Sequence, residues 1–247
     1  MIRVLILGGT GDAVELAAQA SNLPDVEVIS SLAGRTKAPS LPIGQVRVGG
    51  FGGTTGLADY LRAEKIAALI DATHPFADQI SWNAARAAQQ CQIPLLIIVR
   101  PAWQPVTGDH WIEVESHEIA AQVLPKIAQR IFLTIGRQEL SAFAHLTHLW
   151  FLMRMIDPPP VGLPVPPGEI LLERGPFTLE HEQTLLQTHQ IEAIVSKNSG
   201  GTATYAKIAA ARSMGLPIVM IQRPQMPVGE QVGDVAGAMQ WLERMRG

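Results

Sequence analysis

Residues 4–7 form a short apolar run that ends at once in Gly8-Gly9-Thr10-Gly11, and helical spacing follows at Val14, Leu16, Ala17 and Ala20. This unit of apolar run, glycine- or hydroxyl-rich loop and helix constrains the fold most, because the chain repeats it. Residues 26–30, 46–48, 67–70 and 94–99 read as further buried strands, with helices expected at 57–63 and 76–90. After Arg100-Pro101 the rhythm restarts. Strands are expected at 111–114, 131–135, 151–155, 193–196 and 217–221, and helices at 118–128, 179–188, 203–212 and 235–245. Prolines crowd residues 158–167 and exclude helix or central strand there. Such alternation predicts α/β architecture with parallel sheets covered by helices. The expectation is two Rossmann-like (flavodoxin-like) domains, 1–100 and 101–247, with a cleft between them.

Two stretches match each other. One runs from residue 68 through Asp71-Ala72-Thr73-His74 to Arg100-Pro101, the other from 193 through Ser196-Lys197-Asn198-Ser199 to Arg223-Pro224. Each is a strand, a polar loop, a helix and a strand ending in Arg-Pro, a pattern that any two βαβ units also produce.

The remaining constraints come from composition. With 47% apolar and 17% charged residues among 247, the chain is not disordered. A net charge of −3 excludes nucleic-acid binding through bulk charge. The longest strong apolar run, 93–99, is too short to cross a bilayer. The N-terminal run lacks a small-residue cleavage site, so a cytoplasmic protein without membrane partners is expected. The single Cys91 leaves no intramolecular disulfide, and no metal is expected.

In parallel α/β sheets, ligands sit at the carboxyl ends of strands. Gly8, Gly9, Thr10 and Gly11 lie at such an end, where backbone can approach a phosphate at a helix N-terminus. The match to a dinucleotide fingerprint is incomplete, since Val14 stands at the third glycine position. The second strand ends in Ser30-Ser31-Leu32-Ala33-Gly34-Arg35 without an acid for ribose hydroxyls. Ser31, Gly34 and Arg35 therefore suit the ribose phosphate of NADP, the alternative for Arg35 being a solvated loop charge. Gly49-Gly50-Phe51-Gly52-Gly53 ends the third strand, with Gly52 and Gly53 as cofactor contacts or merely a turn. His74 follows the fourth strand, fixed by Pro75, and is either a catalytic group or a hydrogen-bonded loop histidine. The other six histidines, His117 among them, show no ligand spacing and read as structural. In the second half, Lys197, Ser199, Gly200 and Gly201 offer a cation, a hydroxyl and backbone N–H groups to an anion. Arg100, Arg137, Arg154, Arg174 and Arg223 lie near strand ends, and as a set suit a ligand with several carboxylates.

Together these motifs resemble the precorrin-6A reductase family of cobalamin biosynthesis. Ile6-Leu7-Gly8-Gly9-Thr10-Gly11, Ser31-Leu32-Ala33-Gly34-Arg35, Gly49-Gly50-Phe51-Gly52-Gly53, Asp71-Ala72-Thr73-His74-Pro75-Phe76-Ala77 and Lys197-Asn198-Ser199-Gly200-Gly201 fall in the family's order. One departure is the first helix, where Asp12 and Val14 stand at positions commonly held by Glu and Arg. The resemblance implies hydride transfer from NADPH, or NADH, to the ring double bond between carbons 18 and 19 of precorrin-6A or its cobalt form. It implies an N-terminal dinucleotide-binding domain with Gly8, Gly9, Thr10, Gly11, Asp12, Ser31, Gly34, Arg35, Gly52, Gly53 and Thr73 at the cofactor. His74 would be catalytic, Arg100, Arg174, Lys197, Ser199, Gly200, Gly201 and Arg223 would hold the tetrapyrrole, and residues 101–247 would form a C-terminal substrate domain of a monomer. The alternatives are a nicotinamide-dependent epimerase and a non-catalytic NADP-sensing module. Neither Tyr60 nor Tyr205 has the lysine four residues later that an epimerase of that kind would carry.

Overall fold

The run expected as the first strand is β1, Ile2–Leu7, and its last four side chains are buried. They alternate between two cores. Val4 and Ile6 pack with Leu16 and Ala17 on one side, and Leu5 and Leu7 pack with Ile29, Leu57 and Leu61 on the other. Parallel strands joined by crossover helices give a sheet covered on both faces. The chain supplies them as α1 (Gly11–Ala20), β2 (Val26–Leu32), β3 (Gln45–Val48), α2 (Gly53–Ala63), β4 (Ala68–Asp71), α3 (Asp78–Cys91) and β5 (Leu95–Ile98). This computed structural model describes residues 1–34 and 41–246.

A second sheet follows. Its elements are β6 (His110–Val114), α4 (His117–Val123), β7 (Arg130–Leu133), β8 (Trp150–Met155), β9 (Gly168–Leu172), α5 (Leu179–Thr188), β10 (Ala193–Lys197), α6 (Ala206–Ser213) and β11 (Pro217–Ile221). Its core gathers Phe132, Leu152, Leu186, Ile194, Ile208 and Met220. The last two elements, β12 (Glu230–Val232) and α7 (Val235–Arg246), return to the first sheet. There β12 pairs parallel with β5, and α7 adds Val235, Ala238, Trp241 and Leu242 to the core around Val4 and Ile6.

The expected second domain, 101–247, is thereby corrected. The compact units are Met1–Pro101 with Pro224–Gly247 (unit 1) and Ala102–Arg223 (unit 2). The chain leaves each unit at one of the two Arg-Pro pairs, so both pairs, and not the first alone, are crossings between units. Both sheets are parallel, in the orders β12-β5-β4-β1-β2-β3 and β6-β11-β10-β7-β8-β9. With β1 and β7 as first strands, each reads 3-2-1-4-5-6, the winding of dinucleotide-binding sheets. Each unit's sixth strand, β12 or β6, is the one that follows the other unit's Arg-Pro.

Other differences have local causes. The helix expected at 118–128 is α4 alone, because Pro125 lies in a 3-10 turn, Leu124–Lys126, that ends it. Two strands were not expected. β9 follows the proline cluster and borders its sheet, and β12 has only three residues. No helix of the described residues is long and apolar enough to cross a membrane.

Candidate active site

Strand order reverses between β1 and β4 in unit 1, and the loops that follow them carry the expected nucleotide motif. Gly8 N–H donates to the Ser31 carbonyl at 2.9 Å, tying the loop to β2. Gly9 has φ +111°, which requires glycine. Thr10 caps α1: its Oγ1 accepts from Ala13 N–H at 3.1 Å and donates to the Ala72 carbonyl at 2.7 Å. A Cβ at Gly9 or Gly11 would meet no atom within 4 Å, so the backbone there lies open to a ligand. Asp12 pairs with Arg100 at 3.5 Å. That contact sets Arg100, expected at the substrate, beside the glycine loop of unit 1.

Beyond β4, Asp71 is buried and its Oδ1 accepts from both Thr73 N–H (3.0 Å) and Thr73 Oγ1 (2.7 Å). Thr73 is thus held rigidly at the carboxyl edge. His74 Nδ1 accepts from Phe76 N–H at 3.2 Å, which puts the proton of a neutral ring on Nε2. Gly52 (φ +81°) precedes α2 without any side-chain cap, and a Cβ at Gly52 or Gly53 would also meet open space.

At the ends of β2 and β3 the structure adds a residue that the motifs did not reveal. Arg47 is aligned with Ser31 across the two strands. Its Nη1 donates to Ser31 Oγ at 2.8 Å and to the Gly49 carbonyl at 2.9 Å, and its Nη2 donates to the Gly50 carbonyl at 3.3 Å. The guanidinium lies 3.7 Å from the Phe51 ring centroid. Burial pushes its pKa down, against a smaller raising effect of Tyr60. The only trace in sequence is one charge inside Val46-Arg47-Val48 with an aromatic residue four positions on. Gly34 has φ +71°, and Arg35 lies outside the described residues.

Unit 2 reverses its order between β7 and β10. Thr134, after β7, donates through Oγ1 to the Val195 carbonyl at 2.9 Å, much as Thr10 does to Ala72. Gly136 (φ +84°) has open space around it, but the chain then enters a 3-10 turn, Leu140–Phe143, instead of an α-helix. The loop after β10 is held by side chains. Asn198 accepts from Trp103 N–H at 2.9 Å and donates to the Trp103 carbonyl at 3.0 Å. The Trp103 indole donates to the Gly201 carbonyl at 2.8 Å, and Arg223 Nε donates to the Asn198 carbonyl at 2.7 Å. Gly200 and Gly201 take φ of +68° and +75°, and α6 begins only at Ala206. Lys197, Ser199, Gly200, Gly201 and Arg223 are thus gathered at one loop. Arg174 follows β9, and the segment it opens packs beside the same loop: Phe177 N–H donates to the Ala203 carbonyl at 3.3 Å.

Arg154 (6% exposed), Glu182 (0%) and Lys207 (3%) are charged residues of unit 2 that are almost wholly buried. Arg154 pairs with Glu182 at 2.7 Å and covers the Phe177 ring at 3.7 Å, so this cation serves packing. Lys207 donates to the Thr204 carbonyl at 3.0 Å and lies 5.0 Å from the Trp103 ring centroid. Burial, then the charge of Arg154, pushes its pKa down to about 7 despite Glu182. His117, at the start of α4, has its basicity lowered by burial and by Lys197, with Glu139 opposing. No group of three residues placed to hold a metal ion occurs among the described residues.

The family model described as "Precorrin-6x reductase CbiJ/CobK" matches residues 3–243. The chain belongs to this family. It is 53% identical over 243 residues to a protein named precorrin-6A reductase from Rhodococcus erythropolis, covering 98% of each chain. It is 41% identical over 242 residues to one of the same name from Rhodobacter capsulatus, covering 98% and 96%. A solved structure titled CobK precorrin-6A reductase superposes with a TM-score of 0.93 at 41% identity, covering 99% of this chain and 97% of that one. The resemblance in the motifs is therefore borne out over the whole length, and with it the α/β fold.

Proposed function

We propose that this chain is an oxidoreductase of cobalamin biosynthesis that reduces precorrin-6A with a nicotinamide cofactor, NADPH, held on unit 1. Family membership supports the reaction. The observation that carries the division of labour is the helix at each reversal of strand order. In unit 1, a capped helix opens directly beneath an open glycine backbone. In unit 2, the corresponding loop leads to a 3-10 turn and offers no α-helix N-terminus to a phosphate. The open space at Gly9, Gly11, Gly52 and Gly53 fits the nucleotide.

NADPH, when bound, supplies the hydride. The backbone of Gly8–Gly11 and the first turn of α1 hold its pyrophosphate, and Ser31 marks the ribose end. Asp71 fixes Thr73 in place for contact with the cofactor. His74 keeps a proton on Nε2 at the same edge, where a reduced double bond needs one at its second carbon. Lys197, Ser199 and the Gly200-Gly201 turn take a carboxylate of the macrocycle, with Arg223 steadying the loop from beneath and Arg174 as a further cation.

An anaerobic assay with metal-free and cobalt precorrin-6A, each with NADPH and NADH, tests this reading. The expected product is the dihydro macrocycle, formed fastest from the metal-free substrate with NADPH. Stoichiometric NADPH binding with no turnover of either macrocycle would instead mark a sensing module.

A further inference from the structure

We propose that Arg47 is the residue that reads the 2′-phosphate of the nucleotide and so sets the preference for NADPH over NADH. This rests on the assignment of a nicotinamide cofactor to unit 1. The sequence directs attention to Arg35 for that role, but the geometry of β3 points to Arg47.

The first ground is place. In sheets wound 3-2-1-4-5-6, the ribose hydroxyls of the nucleotide meet the end of the second strand. Arg47 stands in register with Ser31 there, and its guanidinium grips the Ser31 hydroxyl. The second ground is charge. Among other arginines of unit 1, Arg3 has Glu27 and Glu64 as carboxylate partners, Arg62 has Asp59, Arg100 has Asp12 and Arg244 has Glu230, while Arg86, with no ion pair among the described residues, is exposed to water. Arg47 bonds only to a hydroxyl and two carbonyls, and no ion pair to it is seen among the described residues. The segment at 35–40, Arg-Thr-Lys-Ala-Pro-Ser, contains no acid either. A half-buried cation without a counter-ion is costly, and a phosphate dianion relieves that cost.

The third ground is orientation. The Phe51 ring at 3.7 Å and the Tyr60 ring at 5.1 Å fix the guanidinium plane before any ligand arrives. Three of its five N–H donors are engaged, leaving the Nε–H and one Nη2–H, the two donors from which a fork onto phosphate is built. Ser31 accepts from Arg47 and so keeps its own O–H to donate. The phenylalanine within the five-residue glycine motif thereby acquires a use: it is the platform for the arginine.

Titration calorimetry of the full chain with NADPH, NADH and 2′,5′-ADP tests the proposal. Arg47→Gln is expected to weaken NADPH and 2′,5′-ADP about ten- to a hundredfold and to lower the NADPH/NADH affinity ratio by a similar factor. Arg47→Lys keeps the charge but loses the fork, and is expected to fall between the parent and Arg47→Gln. Phe51→Leu leaves the arginine in the chain, and a several-fold drop in the ratio is expected; it serves if Arg47→Gln does not fold by circular dichroism. Equal weakening of NADPH and NADH in Arg47→Gln would reduce Arg47 to a loop clamp and overturn the proposal. So would discrimination that survives in Arg47→Gln but vanishes in Arg35→Ala. A parent chain that binds neither dinucleotide would overturn the cofactor assignment itself, a result separate from any loss of discrimination.

Discussion

The two units are wound alike, yet their loops at the reversal of strand order are built by opposite means. In unit 1 the loop is mostly backbone: one threonine caps the helix, and open space surrounds Gly9 and Gly11. In unit 2 the loop after β10 is fastened by Asn198, Trp103 and Arg223 before it reaches any ligand. An open loop at a helix N-terminus suits one ligand group of fixed shape, a pyrophosphate. A fastened loop that carries a lysine suits a carboxylate located by side-chain charge. One winding pattern thus serves two kinds of anion recognition, and the difference lies in where the α-helix opens: α1 begins at Gly11, within the loop itself, whereas α6 begins only at Ala206, beyond the fastened turn.

The sharpest way to break this contrast is to put an acid into the open loop. Gly11→Asp is expected to abolish NADPH binding by calorimetry. A Cβ at Gly11 meets no atom within 4 Å, and an acid in the first turn favours the helix, so the melting temperature is expected to hold. Retained NADPH affinity in a folded variant would remove the phosphate loop from unit 1.

The fastened loop is tested through Lys207, which lies against Trp103. Its folded pKa, about 7, is below the ordinary 10.5, so between these values the unfolded chain binds more protons than the folded one. Stability from this group therefore rises as pH increases from about 7 to about 10.5, and the full penalty applies below that window. Urea unfolding is expected to show the parent gaining up to a few kcal/mol more than Lys207→Met between pH 7 and pH 10. Parallel curves for the two proteins would mean that the lysine is not buried as a neutral group.

Asn198→Ala removes both links to the Trp103 backbone. A loss of about 1–3 kcal/mol in unfolding free energy is expected, with a raised KM for the macrocycle and little change in NADPH affinity. Unchanged stability would show that the loop is held by Arg223 and the indole alone. The smallest expected effect is that of Lys197→Ala, about a tenfold rise in macrocycle KM, since neighbouring cations compensate in part. A weakened NADPH complex with a normal macrocycle KM would exchange the ligands assigned to the two units.

What the sequence made legible follows from local chemistry. The strand ends could be read because Gly8-Gly9-Thr10-Gly11 and Ser199-Gly200-Gly201 announce where a strand must turn. The apolar runs of β1, β4 and β10 announce strands buried on both faces. β9 escaped notice because an edge strand lacks that second burial: Ile170 and Leu172 remain exposed. β12 escaped because Glu-Gln-Val acquires its meaning only from pairing with β5, more than a hundred residues earlier. Arg47 was invisible for a similar reason. Its role depends on Phe51 and Tyr60 meeting edge to face, 5.2 Å between centroids, once α2 has packed. The Asn198–Trp103 clasp likewise joins residues 95 positions apart.

The exchanged sixth strands also bear on how the protein is made. Unit 2 is one unbroken length of chain, so none of its strands waits for a segment made after residue 223. The unit proposed to bind the nucleotide is not built that way. Its first five strands emerge early but wait for β12 to extend the sheet and for Trp241 and Leu242 to fill the core beside Val4 and Ile6. The first unit begun is therefore the last completed, and a message cut short after residue 223 would yield a whole unit 2 attached to an unfinished unit 1.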